Sequence, residues 1–287
     1  MTADAFLSRT DSGALYGKPG LDLVLVETDL CRAVIALQGA QVLEFAAAGR
    51  APLLWVSPQA VFEPGTAVRG GVPLCLPWFG VNRADPGKPK HGLVRNQLWE
   101  LASSAAQPDG RVALVFTYQH RGDALFAADF SCELTVLLGA ELEFALNLTN
   151  TSDQSAEFSW ALHSYFAVED IAEVAVEGLD GVEYLDKTLD FARCRLEGRQ
   201  TFAGEVDRVF ELATAEQQIV TPSPIRTRSE NCHTVIVWNP GDALAASLAD
   251  VGAHYREFVC VEHGNAFANS WQLGAGECAS ARLILSR

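Results

Sequence analysis

The sequence predicts an all-β protein, built as a large antiparallel β-sandwich with a few short helices. Short apolar stretches rich in β-branched and aromatic residues recur along the whole chain, as strands require. Tight turns separate neighbouring stretches at Gly39-Ala40, at Gly139-Ala140 and at the Pro-Asp-Gly sequence 108–110, and such turns join antiparallel strands. Helix-like composition is confined to 242–250 and to the region around 254–258.

The predicted strands follow one another with little interruption. The first apolar segment ends in the alternating run LDLVLVE at 21–27, stretches 129–139 and 141–150 form a hairpin, and 156–168 is strongly aromatic. The other predicted strands cover 31–39, 41–49, 53–57, 97–104, 111–119, 173–179, 182–186, 208–212, 217–221, 224–229, 233–240, 258–265 and 278–286. Because there is no composition break, linker or fixed-period repeat, we expect one domain over 1–287 with its sheets packed face to face.

Composition limits the partners of this protein. The chain has 287 residues, 49% of them hydrophobic, and a formal net charge of −15. An acidic protein repels nucleic-acid phosphates and anionic membranes. No apolar run is long enough to span a membrane, and the N-terminus lacks the basic-then-apolar pattern of a signal peptide. We therefore expect a small-molecule partner, no nucleic acid and no membrane, and a monomeric protein.

The cysteines indicate the compartment. All seven are scattered along the chain, and none forms a CxxC pair. An odd number without such pairing predicts reduced, mostly buried thiols in a cytoplasmic protein, and neither a disulfide framework nor a zinc site. Cys75 and Cys260 lie inside apolar runs, where a packing role is expected.

The least generic stretch is 69–96, RGGVPLCLPWFGVNRADPGKPKHGLVRN. Its glycines and prolines forbid a long helix and permit turns that other residues cannot make. We therefore expect loops of defined conformation in this segment. They carry a cluster of basic residues in a chain that is otherwise poor in them, namely Arg69, Lys90, His91 and Arg95. Guanidinium groups bind phosphate or carboxylate through a two-pronged contact. Each residue alone is more typical of a charged surface loop, but the cluster as a whole favours a pocket for an anionic small molecule.

Three further residues are candidates for acid–base chemistry or substrate contact. His163 lies in an apolar aromatic stretch, where the alternatives are a hydrogen-bonded core histidine and a general acid. Glu262 ends the run FVCVE, where a carboxylate either faces water or pairs with a partner at a pocket. Asp207 stands beside Arg208 and fits either a local ion pair or a site residue. The sequence contains no GxGxxG after a strand, no GxxxxGK[ST], no HExxH and no GxSxG.

Six segments carry a resemblance to a known family. RGGVPLCLPWFG, KHGLVRNQLWEL, WALHSYFAV, EVDRVF, VIVWNPG and FVCVEHGNA occur in this order. The set resembles the glucose-6-phosphate 1-epimerases, also called hexose-6-phosphate mutarotases, of the aldose 1-epimerase superfamily. The likeness runs from about residue 20 to the C-terminus, and it implies a galactose mutarotase-like supersandwich with the sugar in a cleft on one sheet.

The resemblance also implies roles for individual residues. It matches His163 and Glu262 to the catalytic acid–base pair of the family. The arginines that hold the substrate phosphate correspond to Arg69 and Arg95. Residues that line the sugar site correspond to His91 and Asp207, whereas Lys90 stands where a glutamine is expected in relatives. The implied reaction interconverts the α and β anomers of a hexose 6-phosphate, above all D-glucose 6-phosphate, without an organic cofactor. The sequence itself contains no carboxylate cluster that demands a metal, so none is expected.

Two other functions remain open at this point. An aldose 1-epimerase for unphosphorylated sugars would not need the paired arginines. A non-catalytic carbohydrate-binding sandwich would keep the aromatic residues and lose the acid–base pair, which this sequence retains as His163 and Glu262.

Overall fold

A computed structural model describes residues 6–287, which form 23 strands and a few short helices. The strands are β1 (Leu7–Asp11), β2 (Asp22–Glu27), β3 (Cys31–Ala36), β4 (Gln41–Ala47), β5 (Leu74–Cys75), β6 (Glu100–Ala106), β7 (Val112–His120), β8 (Phe130–Leu138), β9 (Leu142–Asn150), β10 (Ala156–Phe158), β11 (Trp160–Leu162), β12 (Tyr165–Ala167), β13 (Ala175–Glu177), β14 (Glu183–Asp186), β15 (Ala192–Arg195), β16 (Gln200–Thr201), β17 (Val206–Phe210), β18 (Glu216–Val220), β19 (Ile225–Glu230), β20 (Thr234–Asn239), β21 (Phe258–Asn265), β22 (Trp271–Leu273) and β23 (Cys278–Ser286). The helices are α1 (Ser12–Tyr16), α2 (Gly241–Ala245) and the 3₁₀ turns Val94–Asn96, Ile171–Glu173, Lys187–Leu189, Gly252–Glu257 and Phe267–Asn269.

Two large antiparallel sheets dominate the fold. The front sheet has the strand order β15-β14-β17-β20-β21-β11-β5, with β12 also paired to β21. The back sheet has the order β16-β13-β18-β19-β23-β9-β8-β7-β6. Strands β1 to β4 form a four-stranded meander, and β10 pairs with β22. All the strand pairings of these sheets are antiparallel, which confirms the predicted all-β class.

The main core lies between the two large sheets. In β8 and β9 every second residue is buried and its neighbours are partly exposed, as expected for strands that cover a core on one face. Buried side chains from these back strands, from front strands β20 and β21 and from the meander belong to one apolar cluster. Removal of this apolar area from water is the main stabilising contribution.

The front sheet is covered on its second face as well. Every residue of β21 is buried. Val259 and Val261 belong to the main core, and Phe258 and Cys260, which alternate with them, belong to a smaller apolar cluster on the other face. A strand that is buried on both faces has no solvent-exposed position for a charged side chain. The water-facing alternative for Glu262 is therefore wrong, because this residue lies inside β21, which continues to Asn265.

Other boundaries also differ from the predicted ones. Residues 53–57 form isolated bridges at Leu54 and Val56 in place of a strand, and the strand predicted at 97–104 corresponds to β6, which starts three residues later. The aromatic stretch 156–168 is divided into β10, β11 and β12. The predicted helix 242–250 ends with α2 at Ala245, and the residues up to Gly252 form turns. Gly252 has a φ of 52°, so the chain cannot continue as one α-helix from α2 into the 3₁₀ turn Gly252–Glu257.

Glycines allow the loops before the front sheet to approach it closely. Gly71 has a φ of 61°, and a Cβ there would lie 2.2 Å from the Val42 carbonyl oxygen. Gly92 has a φ of 74°, and a Cβ there would lie 2.0 Å from the Leu76 carbonyl oxygen. Only glycine fits such positions without strain, so these two residues fix the loops that carry Arg69 and His91. Within residues 6–287, no helix is long and apolar enough to cross a membrane.

Candidate active site

Strand register places His163 and Glu262 next to each other. Leu162 of β11 lies opposite His263, and Tyr165 of β12 lies opposite Cys260. The register is unchanged across the gap between β11 and β12, so His163 faces Glu262 across the strands. Side chains of directly opposed residues lie on the same face of a sheet.

The two side chains are in contact and nearly closed off from solvent. His163 Nε2 lies 3.3 Å from Glu262 Oε1, with 8% of the histidine side chain and 1% of the glutamate side chain exposed. The Tyr165 ring stacks on the imidazole at 4.8 Å between ring centroids, and the Trp238 and His91 rings meet it edge to face. The imidazole is therefore held in one orientation beside the carboxyl group.

Burial alters the proton affinity of both groups. It raises the pKa of Glu262 well above the usual range, with a further increase from Asp207 that Lys187 and Arg95 oppose. It lowers the pKa of His163, and Arg95 and Arg69 lower it further. Because burial penalises both charged forms, the pair is expected to hold one proton between the two groups. The two shifts favour the form with this proton on Glu262. The form with a protonated imidazole beside a carboxylate arises when the proton moves across the 3.3 Å contact to His163.

Arg69 is held by two partners. Its Nε and Nη2 donate to Asp250 Oδ2 and Oδ1 at 2.9 and 3.3 Å, and its Nη1 donates to the Tyr165 hydroxyl at 3.0 Å. The guanidinium group also lies over the Trp238 ring, 6.0 Å from its centroid. The positive charge of Arg69 is thus already matched by a carboxylate.

Arg95 has a different environment. Its Nη2 donates to the Lys90 carbonyl oxygen at 2.9 Å, and its buried Nε has no hydrogen-bond partner among residues 6–287. Within the same residues no carboxylate forms an ion pair with Arg95. The Lys90 side chain is exposed on the loop that leads to the site. Arg95 is therefore a partly buried cation with unused donors.

His91 packs directly beside His163. Its ring lies 5.4 Å from the His163 ring and 4.9 Å from the Phe79 ring, in both cases edge to face. The Gly80 N–H donates to His91 Nδ1 at 3.4 Å. Burial, followed by the neighbouring His163 and Arg95, lowers the pKa of His91 well below its usual value. His91 is accordingly expected to be a neutral imidazole at the edge of the site.

Asp207 pairs with Lys187, a residue that the sequence did not single out as a site residue. Lys187 Nζ lies 2.5 Å from Asp207 Oδ2, while the buried Asp207 Oδ1 has no partner in the described part of the chain. Arg208 instead contacts Asp186, at 3.3 Å, so the simple local pair of Asp207 with Arg208 is wrong. Pairing of β14 with β17 sets Asp186 opposite Arg208, which brings the next residue, Lys187, to Asp207. Only this register could have revealed the contact.

Among residues 6–287, one group of side chains is close enough together to hold a metal ion. Ligand atoms of His163, Cys260 and Glu262 all lie within 4.8 Å of one another, and all three residues are buried. Burial, followed by the nearby Glu262, raises the pKa of the Cys260 thiol well above its usual value. Coordination of a metal would require the loss of that thiol proton.

Comparisons with known proteins agree with this architecture. Residues 22–286 match the family described as Aldose 1-epimerase. The chain is 38% identical, over 88% of its own length and 85% of the relative, to an Escherichia coli K12 protein named "Putative glucose-6-phosphate 1-epimerase". A Cenchrus ciliaris protein of the same name is 32% identical, over 89% of this chain and 81% of that protein.

Solved structures give the same result. The crystal structure of a "putative mutarotase (YeaD)" from Salmonella typhimurium superposes with a TM-score of 0.87 at 34% identity, covering 98% of this chain and 93% of the other. A galactose mutarotase-like protein from Clostridium acetobutylicum shares the fold alone, with a TM-score of 0.73 at 13% identity over 98% and 97% of the two chains. The family match, the named relatives and the shared fold define a sugar epimerase with a galactose mutarotase-like fold. The chain belongs to the aldose 1-epimerase family.

Proposed function

We propose that this protein interconverts the α and β anomers of a hexose 6-phosphate, most favourably D-glucose 6-phosphate. The observation that carries the proposal is the 3.3 Å contact between His163 Nε2 and Glu262 Oε1, with Arg95 nearby as a cation without a carboxylate partner among residues 6–287. The names of the Escherichia coli and Cenchrus ciliaris relatives support the same substrate.

The proposed mechanism starts once the shared proton has moved from Glu262 to His163. Glu262 then removes the proton of the C1 hydroxyl while His163 donates a proton to the ring oxygen. The bond between C1 and the ring oxygen breaks, and its electron pair goes to that oxygen. The open-chain aldehyde rotates about C1–C2 and recloses on its other face, with the proton transfers reversed. A positioned acid and base contribute about 10²- to 10⁴-fold to such a step.

The far end of the sugar is assigned to the cations. Arg95 and Arg69 bind the phosphate, and Lys90 stands at the exposed rim, where it adds charge. His91 and Asp207 contact sugar hydroxyls. Binding energy at the phosphate orients C1 and keeps the open-chain intermediate in place. Every step moves a proton or one C–O electron pair, so the mechanism uses no electron carrier.

We also propose that the chain acts as one domain and as a monomer in the cytoplasm. The cysteines in the described residues are all free thiols, which supports a reducing compartment. Size-exclusion chromatography with light scattering tests the monomeric state.

Saturation-transfer NMR on glucose 6-phosphate tests the proposed activity. Irradiation of the α-anomer H1 is expected to reduce the β-anomer H1 signal in the presence of the protein, at a rate well above the uncatalysed exchange. Free galactose and free glucose serve as comparison substrates. Equal acceleration for phosphorylated and free sugars would favour an epimerase for unphosphorylated sugars, and the absence of any acceleration would favour a binding protein.

Lys187 is predicted to support the sugar contact of Asp207. Burial raises the pKa of Asp207, and Lys187 opposes this increase. A Lys187→Met variant should therefore bind the sugar less well, with KM for glucose 6-phosphate raised about tenfold because a buried charge has lost its partner. Arg193→Met, which removes an exposed cation from the neighbouring strand β15, serves as the control. Steady-state kinetics of both variants check this, and an unchanged KM for Lys187→Met contradicts it.

A further inference from the structure

The Arg69 guanidinium group is fixed by residues that are distant in sequence. Asp250, which supplies the carboxylate, lies 181 positions further along the chain, in the turn between α2 and the 3₁₀ turn Gly252–Glu257. The side chains of Arg69 and Asp250 are 25% and 30% exposed. The contact is therefore at the edge of the site, within reach of a bound anion.

The contacts leave Arg69 with free donors. A guanidinium group carries five N–H donors in a fixed plane. Asp250 takes one from Nε and one from Nη2, and the Tyr165 hydroxyl takes one from Nη1. One N–H on each Nη atom is left. Two N–H groups of one rigid fork suit two oxygens of a phosphate.

Tyr165 connects this guanidinium group to the acid–base pair. Its side chain is buried, with 3% of the residue exposed. Its hydroxyl accepts from Arg69, while its ring lies nearly parallel to the His163 imidazole, with an angle of 12° between the planes. Trp238 meets both of these rings edge to face. One tyrosine thus holds the position of the cation and the orientation of the imidazole.

We propose that Asp250 is a positioning residue for phosphate recognition, which holds Arg69 so that its two free N–H groups face the phosphate, and that Tyr165 couples this contact to His163. This inference rests on the proposed function, because it assigns the occupant of the same site. Asp250 acts through Arg69 and does not itself contact the substrate.

The Asp250→Ala variant tests the positioning role. Loss of the carboxylate frees the Arg69 side chain to adopt other rotamers, and each ordered contact must then be formed at an entropic cost. KM for glucose 6-phosphate is expected to rise about tenfold, which corresponds to the cost of ordering one arginine side chain on binding, whereas kcat changes little. Turnover of free glucose should be unaffected. Asp250→Asn retains one acceptor oxygen and should recover part of the loss.

Two further variants separate positioning from packing. Tyr165→Phe keeps the ring on His163 and removes only the acceptor for Arg69, so KM for glucose 6-phosphate should rise while kcat is retained. Asp242→Ala removes an exposed carboxylate from α2, the helix that precedes the Asp250 turn, and is the matched control, with no expected change. Thermal unfolding of each variant verifies the fold.

The outcomes distinguish this inference from the proposed function. If the wild-type protein interconverts the anomers and Asp250→Ala leaves KM for glucose 6-phosphate unchanged, or changes turnover of free glucose equally, the positioning role is wrong while the function stands. If the wild-type protein does not interconvert the anomers, the proposed function fails. The role of Asp250 is then decided by calorimetric binding of glucose 6-phosphate. A positioning role requires Kd to rise about tenfold in Asp250→Ala, and an unchanged Kd contradicts it.

Discussion

The Glu262→Gln variant is expected to lose at least about 100-fold in kcat for anomer interconversion, the lower end of what a positioned acid or base contributes. Glutamine has almost the shape of glutamate, but its amide cannot take up a proton from the C1 hydroxyl. The His163 ring keeps its stacked position on Tyr165 because that contact does not involve Glu262. The loss should therefore affect kcat more than KM.

The same variant should be at least as stable as the wild-type protein. Glu262 is 1% exposed, and its Oε2 has no hydrogen-bond partner in the described chain. An ionisable group in such a place costs free energy in the folded state, and a neutral amide reduces that cost. A melting temperature equal to or above that of the wild-type protein, together with the loss of kcat, would identify a residue retained for chemistry at the expense of stability.

Controls make this result specific. His163→Gln is expected to lose activity to a similar extent, because the acid is removed from the same 3.3 Å pair. Glu157→Gln alters an exposed glutamate on β10 and should leave kcat unchanged. Near-wild-type kcat for either His163→Gln or Glu262→Gln would remove that residue from the proposed mechanism.

Local patterns were sufficient to predict the all-β class and most of the strands. Alternation of apolar and polar residues in β8 and β9 marks strands with one buried face, and the observed burial follows it. Turn residues such as Gly39-Ala40 correctly mark the hairpin between β3 and β4. The two-residue period of a strand indicates which of its side chains share a face. This information is the same whichever strands lie next to it in the sheet.

Local patterns do not specify which strands are neighbours. The front sheet places β21 between β20 and β11, and β11 is about 100 residues away from β21 along the chain. The proximity of His163 to Glu262 depends on this long-range pairing, and only the family resemblance suggested it. A strand buried on both faces also has no alternation, so the burial of Glu262 was not predictable from the run FVCVE.

The ion-pair partners of the charged site residues could not be predicted from the sequence either. Asp250 was assigned to a helix, whereas the structure places it in a turn that reaches Arg69. Lys187 lies at the start of a 3₁₀ turn after β14, and its contact with Asp207 depends on the register with β17. Ion pairs between distant segments are set by tertiary geometry, so the sequence identified the charges and not their partners.

The Arg95→Ala variant is expected to lose about 100-fold in kcat/KM for glucose 6-phosphate, because removal of one partner of a desolvated charge pair costs about 3 kcal/mol. Sequence reasoning assigned Arg69 and Arg95 the same importance. The structure separates them, because Asp250 already compensates the charge of Arg69. Arg95 contacts only a backbone carbonyl oxygen through Nη2, and its buried Nε has no partner among residues 6–287. Phosphate binding is therefore expected to gain more free energy from Arg95 than from Arg69.

The order of the effects is the sharper test. KM for glucose 6-phosphate should rise more in Arg95→Ala than in Arg69→Ala, and neither variant should alter turnover of free glucose to the same extent. Arg95→Lys keeps the charge and loses the two-pronged geometry, so it should fall between the wild-type protein and Arg95→Ala. If Arg69→Ala has the larger effect, Asp250 must release Arg69 when the phosphate binds, and the free guanidinium group must then dominate recognition. If every variant affects phosphorylated and free glucose equally, the two arginines contact the sugar ring and do not bind a phosphate.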